Sequence, residues 1–124
     1  MKFLYCEKCK KMVGVIRDHG CPTMCCGQPM TELVPGTSDG AFEKHVPSVK
    51  CDGNIVTVRI GEVDHPMLPE HHIEWIALET KQGMQRKPLD PAGEPEAKFA
   101  LVEGDAPVAA YEFCNLHGLW KKDL

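Results

Sequence analysis

The sequence predicts an all-β protein in two unequal parts, a small metal-knuckle module followed by an immunoglobulin-like antiparallel β-sandwich. Three observations predict it. Five of the seven cysteines fall within the first 34 residues, where Gly14, Gly20, Pro22, Gly27 and Pro29 leave only short apolar pieces such as Val13-Gly14-Val15-Ile16. Beyond residue 41 the apolar residues alternate with period two, and turn signals separate the alternating runs at short intervals. No helical stripe is sustained anywhere.

In order along the chain, the cysteine-rich stretch ends in Val34-Pro35-Gly36-Thr37-Ser38-Asp39-Gly40, a loop composition that breaks both the helical and the strand period. The boundary is drawn there, giving units 1–36 and 37–124. Strands are expected from Val46 to Cys51 and through Val56, Val58 and Ile60, which alternate with Thr57 and Arg59. The next row is Ile73, Trp75 and Ala77, broken by Ile76, followed by Ala97 to Val102 and Val108 to Cys114. Turns fall at Asp52-Gly53-Asn54, Gln82-Gly83, Asp90-Pro91-Ala92-Gly93 and Gly104-Asp105-Ala106-Pro107. Short strands at this spacing make a sandwich whose loops gather at its two ends.

Composition narrows the function. A formal charge of −4 over 124 residues gives no basic footprint for nucleic acid and no stripe for an anionic membrane. Met1-Lys2-Phe3-Leu4-Tyr5-Cys6 lacks the apolar segment of a signal peptide, so a soluble, cytoplasmic protein is expected. Seven cysteines in such a protein stay largely reduced, and their odd number argues against complete pairing. Thiolate chemistry is therefore favoured over a disulfide framework.

Two groups of residues carry that chemistry. Cys6-Glu7-Lys8-Cys9 is a CxxC knuckle, followed after fifteen residues by the adjacent pair Cys25-Cys26. Four soft thiolates suit a tetrahedral ion, iron or zinc, and spacing alone does not choose between them. Adjacent cysteines depart from the two-knuckle zinc ribbon, and a distorted sulfur–metal–sulfur angle is expected at that half of the site. Cys21 is near enough to compete, but a Cys21/Cys25 pairing would leave Cys26 without a role, so Cys21 is read as a bystander. The second group comprises five of the six histidines, in Glu43-Lys44-His45, His65-Pro66-Met67, Glu70-His71-His72 and Cys114-Asn115-Leu116-His117-Gly118. Imidazoles with one thiolate suit iron or copper, and a Cys-x-x-His pair can reach one ion. His19 and Cys51 stand outside both patterns.

These residues resemble a known family. The spacing of Cys6, Cys9, Cys25 and Cys26 is similar to desulforedoxin and to the N-terminal module of desulfoferrodoxin. Glu43-Lys44-His45-Val46-Pro47, His65-Pro66-Met67 with His71 and Ile73-Glu74-Trp75-Ile76, and Cys114-Asn115-Leu116-His117-Gly118 resemble the superoxide reductase domain. The likeness spans nearly the whole chain. It implies two non-haem irons: one on the four cysteines, the other on His45, His65, His71 and His117 with Cys114 opposite an open position. His72 stands directly beside the expected His71 and competes with it.

The implied activity is one-electron reduction of superoxide to hydrogen peroxide without release of oxygen. Lys44 would steer the anion and organise protons, and Glu43 would supply a carboxylate to the open position after turnover. A rubredoxin-like donor would re-reduce the iron, and a homodimer is implied. Two other readings remain at this point, a two-centre iron electron-transfer protein and a zinc-stapled binding module with structural histidines.

Overall fold

The computed structural model describes residues 1–37, 42–61 and 63–124, without the side chains of Phe42 and Glu43. Two compact units are present, Met1–Val34 and Pro35–Leu124. The division falls two residues ahead of the composition boundary because Gly36 N–H donates to the Leu119 carbonyl, which ties the turn after Val34 into the second unit.

The first unit has five short strands: β1 (Lys2–Tyr5), β2 (Met12–Val15), β3 (Met24–Cys25), β4 (Gln28–Pro29) and β5 (Thr31–Glu32). β1 lies between β2 and β5, all antiparallel, while β3 and β4 form a separate hairpin. Among its apolar side chains only Phe3 and Cys6 are buried. So little core cannot order the segment, whereas a structural metal contributes about 10–16 kcal/mol to comparable peptides. The ion pairs of Lys2 with Asp18 and Glu32 are exposed and add little.

The second unit opens on one helical turn, α1 (Phe42–His45), and continues as β6 (Pro47–Asp52), β7 (Ile55–Ile60), β8 (Ile73–Thr80), β9 (Gly83–Pro88), β10 (Glu96–Ala100), β11 (Pro107–Cys114) and β12 (Gly118–Asp123). Sheets of order β10-β7-β6 and β12-β11-β8-β9 carry only antiparallel pairs. Three strands facing four make the expected sandwich. Val56, Val58, Ile60, Ala97, Phe99 and Leu101 from one sheet meet Ile73, Ile76, Leu78, Ala110 and Cys114 from the other.

β9 and β12 were not foreseen from the alternation, because both run at sheet edges and leave most of their side chains exposed or half-buried. Between β9 and β10, which belong to different sheets, side chains bridge the gap: Gln85 donates to the Ala100 carbonyl at 3.0 Å and Lys87 to that of Lys98.

Two features shape the end of the sandwich that bears the histidines. The β11–β8 register shifts between Phe113 and Cys114, a bulge that re-aims the last residue of the strand. Gly61, at φ +89, closes the loop after β7; a Cβ there would come within 2.3 Å of the Val63 carbonyl oxygen and 2.7 Å of that of Lys44. Only glycine fits, and the loop leading to His65 thereby packs directly on the backbone before His45. Among the described residues, no helix is long and apolar enough to cross a membrane.

Candidate metal centres

The cysteine site is built from two turns. Cys6 to Lys11 forms a knuckle closed by Cys6 N–H to the Lys11 carbonyl and Lys10 N–H to the Cys6 carbonyl, with Lys10 at φ +68. Opposite it, Cys26-Gly27 is the two-residue loop of the β3–β4 hairpin, and both residues have positive φ, +52 and +76. That left-handed pair matches strand twist in a tight hairpin. With Cys26 left-handed, the Cys25 and Cys26 sulfurs stand 4.0 Å apart, an edge unequal to the others and in keeping with the distortion expected at this half of the site. Cys9 Sγ is 3.5 Å from Cys25 Sγ, and all four sulfurs lie within 4.8 Å of one another.

Sulfurs about 2.3 Å from a tetrahedral ion have edges of about 3.8 Å, so the set fits one ion with unequal edges. The electrostatics agree. The Cys9 backbone N–H, with help from Lys8, holds Cys6 down to about 6, while hydrogen bonds shared with Cys6 and Cys9 push Cys25 up to about 12. Thiols crowded this closely cannot all ionise without a cation among them. All seven cysteines are free, and Cys21, Cys51 and His19 are exposed and stand outside both clusters.

The histidine site gathers residues far apart in sequence. His45 comes from α1, His65 from the loop after β7, His71 from the turn before β8, Cys114 from the end of β11 and His117 from the β11–β12 turn. Ring centroids form a closed circuit: His45 to His65 4.6 Å, His65 to His71 4.7 Å, His71 to His117 5.0 Å, His117 to His45 4.9 Å. His45 Nε2 and His117 Nδ1 are 3.1 Å apart, and Cys114 Sγ lies 3.5 Å from His65 Nε2 and 3.8 Å from His117 Nδ1. Adjacent nitrogens about 2.1 Å from one ion in a square would be about 3.0 Å apart. The donor atoms of His45, His65, Cys114 and His117 fall within 4.8 Å of one another. His71 lies outside that tight set but completes the circuit, and its buried Nε2 has no hydrogen-bond partner among the described residues. His72 instead has its Nδ1 2.9 Å from the Leu68 carbonyl oxygen and stands outside the circuit.

Outer contacts fix which nitrogen faces inward. His65 Nδ1 is 2.8 Å from the Pro66 carbonyl oxygen and must donate to it, leaving Nε2 as a lone pair toward Cys114. His45 Nδ1 lies 3.1 Å from Glu112 Oε1. Burial, then repulsion from the neighbouring imidazoles and Lys44, holds His45 down to about 3; burial also brings His65 to about 4 and lowers His71. All three are neutral ligands in waiting. Burial raises the Cys114 thiol, opposed by backbone N–H groups of Leu116 and His117.

Several supporting residues were not singled out from the sequence. Glu112 is fully buried, its Oε2 lacks a partner among the described residues, and burial pushes its carboxyl well above the usual range. A cation held by His45 would favour the ionised carboxylate and make the pair a carboxylate–histidine support for the metal. Asn115 knits the His71 turn to β11: its Oδ1 accepts the His72 N–H and its Nδ2 donates to the Glu70 carbonyl. Arg59 grips Asp64, next to His65, with two bonds of 2.9 and 2.8 Å. Lys44 is exposed beside His45, and the Glu43 side chain lies outside the described residues.

Similarity to known proteins follows the same division. The Desulfoferrodoxin family model matches residues 37–123. Over 118 residues, 95% of this chain and 92% of the relative, the sequence is 44% identical to desulfoferrodoxin of Nitratidesulfovibrio vulgaris. The superoxide reductase of Treponema pallidum superposes with TM-score 0.83 at 37% identity, covering 98% of this chain and 96% of that one. A one-iron superoxide reductase from Giardia intestinalis superposes with TM-score 0.56 at 35% identity, covering 66% of this chain and 97% of the other.

Proposed function

The chain belongs to the desulfoferrodoxin family, and on that premise we propose that it is a superoxide reductase, reducing superoxide by one electron to hydrogen peroxide without releasing oxygen. We assign the four-cysteine module to Met1–Val34 and the catalytic domain to Pro35–Leu124. The carrying observation is the closed circuit of four imidazoles with the buried Cys114 thiol against it. A binding module does not need five donors converging from five separate segments, one ring nitrogen among them buried and without a partner among the described residues.

Two non-haem irons fit the donor sets: one on Cys6, Cys9, Cys25 and Cys26, the other on His45, His65, His71, His117 and Cys114. Bound at the second site, ferrous iron supplies the electron and a coordination position for a small anion. The protein residues do the rest. His45, His65, His71 and His117 would hold the ion through imidazole nitrogens, which add no negative charge to repel superoxide. Cys114 would add one anionic ligand, its charge tempered by the backbone N–H groups of Leu116 and His117.

The chain carries a net −4, so attraction must be local. Lys44 is the candidate, since its charge is felt at His45, His65 and His71. We assign it to steering the anion and organising protons through water. Glu43, its neighbour in sequence, is assigned the carboxylate that occupies the open position after turnover. A rubredoxin-like donor restoring the ferrous state and assembly as a homodimer complete the reading, on the strength of family membership.

The test is stoichiometric. Mixed with superoxide, the reduced protein should yield about one peroxide per superoxide, whereas a dismutase yields about half as much and evolves oxygen. Two zinc ions per chain and no visible absorption would remove the enzyme reading altogether.

A further inference from the structure

Trp120 contacts two of the four imidazole residues at once. It is buried on β12, its ring stacked on His45 with centroids 4.8 Å apart and planes within 10°. Its indole Nε1–H donates to the His117 carbonyl at 3.0 Å. His45 and His117 are neighbours in the circuit, and their inward nitrogens face each other at 3.1 Å. A histidine ring turns softly about its last torsion, which has broad, roughly two-fold wells. The Glu112 contact at Nδ1 restrains that rotation at one atom; a flat indole against the ring face blocks it over the whole ring. His117 sits in the short turn between Cys114 and Gly118, where the backbone sets the direction of its side chain. Anchoring its carbonyl fixes that turn.

We propose that Trp120 is a positioning residue for the histidine–cysteine site, gripping His45 and His117 together so that their inward nitrogens keep one separation. The proposal rests on the reading of this site as a redox iron centre. A ligand set that need not rearrange when the ion changes oxidation state passes its electron with less reorganisation, and partners behind the ligands commonly govern metal retention. The second tryptophan, Trp75, stacks on Phe113 with centroids 6.0 Å apart and serves as a control, since it is likewise buried.

The test compares Trp120→Leu, Trp120→Phe and Trp75→Phe in the full iron-loaded chain, with the four-cysteine centre as internal spectral reference. Iron loss to a chelator and the electron paramagnetic resonance of the oxidised site are measured. Trp120→Leu should shed iron from this site about tenfold faster or more and split its resonance into several species. Trp120→Phe keeps a ring on His45 but loses the donor to His117, and should fall between Trp120→Leu and wild type. Wild-type retention with a single unchanged resonance in Trp120→Leu, or an equal loss in Trp75→Phe, would overturn the proposal. Should Trp120→Leu fail to fold, Trp120→Phe decides alone: unchanged retention and resonance overturn the joint grip. Wild-type protein that holds iron here without making peroxide defeats the functional reading only, because retention and resonance still score the grip.

Discussion

The two metal centres differ in what depends on what. In Met1–Val34 the ligands are local, a knuckle and a hairpin loop, and the buried apolar core is Phe3 with Cys6. There the ion makes the fold. In Pro35–Leu124 the donors span residues 45 to 117 and meet only because seven strands hold their loops at one end, with Cys114 embedded in the core itself. There the fold makes the site. Four thiolates thus serve as a staple in one unit, and four imidazoles with one thiol as a preorganised reaction centre in the other.

The contrast can be broken most decisively at Cys114. Cys114→Ser should reduce peroxide formation to background while leaving the visible absorption of the four-cysteine centre intact; loss of both signals would mean that the two sites are not independent. At the histidine circuit, His71→Ala should cost at least the tenfold in iron retention that even an outer partner costs, and His72→Ala about twofold or less. Chelator competition on the two variants measures this, and a reversed order would exchange their roles.

Acid should separate the metal-free units. His45, His65 and His71 stay neutral in the folded state but protonate in the unfolded chain below about pH 6.5. Their contribution is therefore present above about pH 6.5 and lost as pH falls toward the folded values of about 3 for His45 and about 4 for His65. Glu112 acts with the opposite sign, since its raised carboxyl weakens folding as pH climbs past its ordinary range. Three imidazoles outweigh one carboxyl, so the melting temperature of metal-free protein should rise between about pH 4 and 6.5. Glu112→Gln should steepen that rise, and a flat calorimetric profile would contradict the burial of the imidazoles.

Smaller effects are expected farther from the ion. Lys44→Ala should slow superoxide capture by about threefold and flatten its dependence on salt; an unchanged second-order rate in stopped flow would remove the steering role. Smallest of all, Cys26→Ala should empty the first centre yet leave capture by the reduced second centre within about twofold, read by the same rapid mixing. A large fall would join the two units functionally.

The cysteine site was legible because its information is local: spacing alone brings Cys6, Cys9, Cys25 and Cys26 together, and only the left-handed Cys26 backbone was hidden. Strands with one buried face announced themselves by alternation, as β7 did with Val56, Val58 and Ile60. Edge strands did not, because β9 and β12 bury too few side chains to impose a period. The choice between His71 and His72 depends on how one tight turn is hydrogen-bonded to Leu68 and Asn115, which no spacing rule contains. Glu112 did leave a signal: it stands between Ala110 and Cys114 in the inward row of β11, where a carboxylate has no place unless it meets a partner. Trp120 and Arg59 left none, since their contacts with His45 and Asp64 come from folding alone.

The bridges from Gln85 and Lys87 to the carbonyls of β10 bear on life in a crowded cell. An edge strand with free carbonyls is a template on which another chain can add a strand and begin a fibril. Here two of those carbonyls are taken by side chains of the facing sheet, one of them cationic, and Pro88 ends β9 where a further amide would otherwise be offered. Side chains of one sheet thus occupy backbone acceptors of the other, leaving fewer of them available for strand addition by another chain.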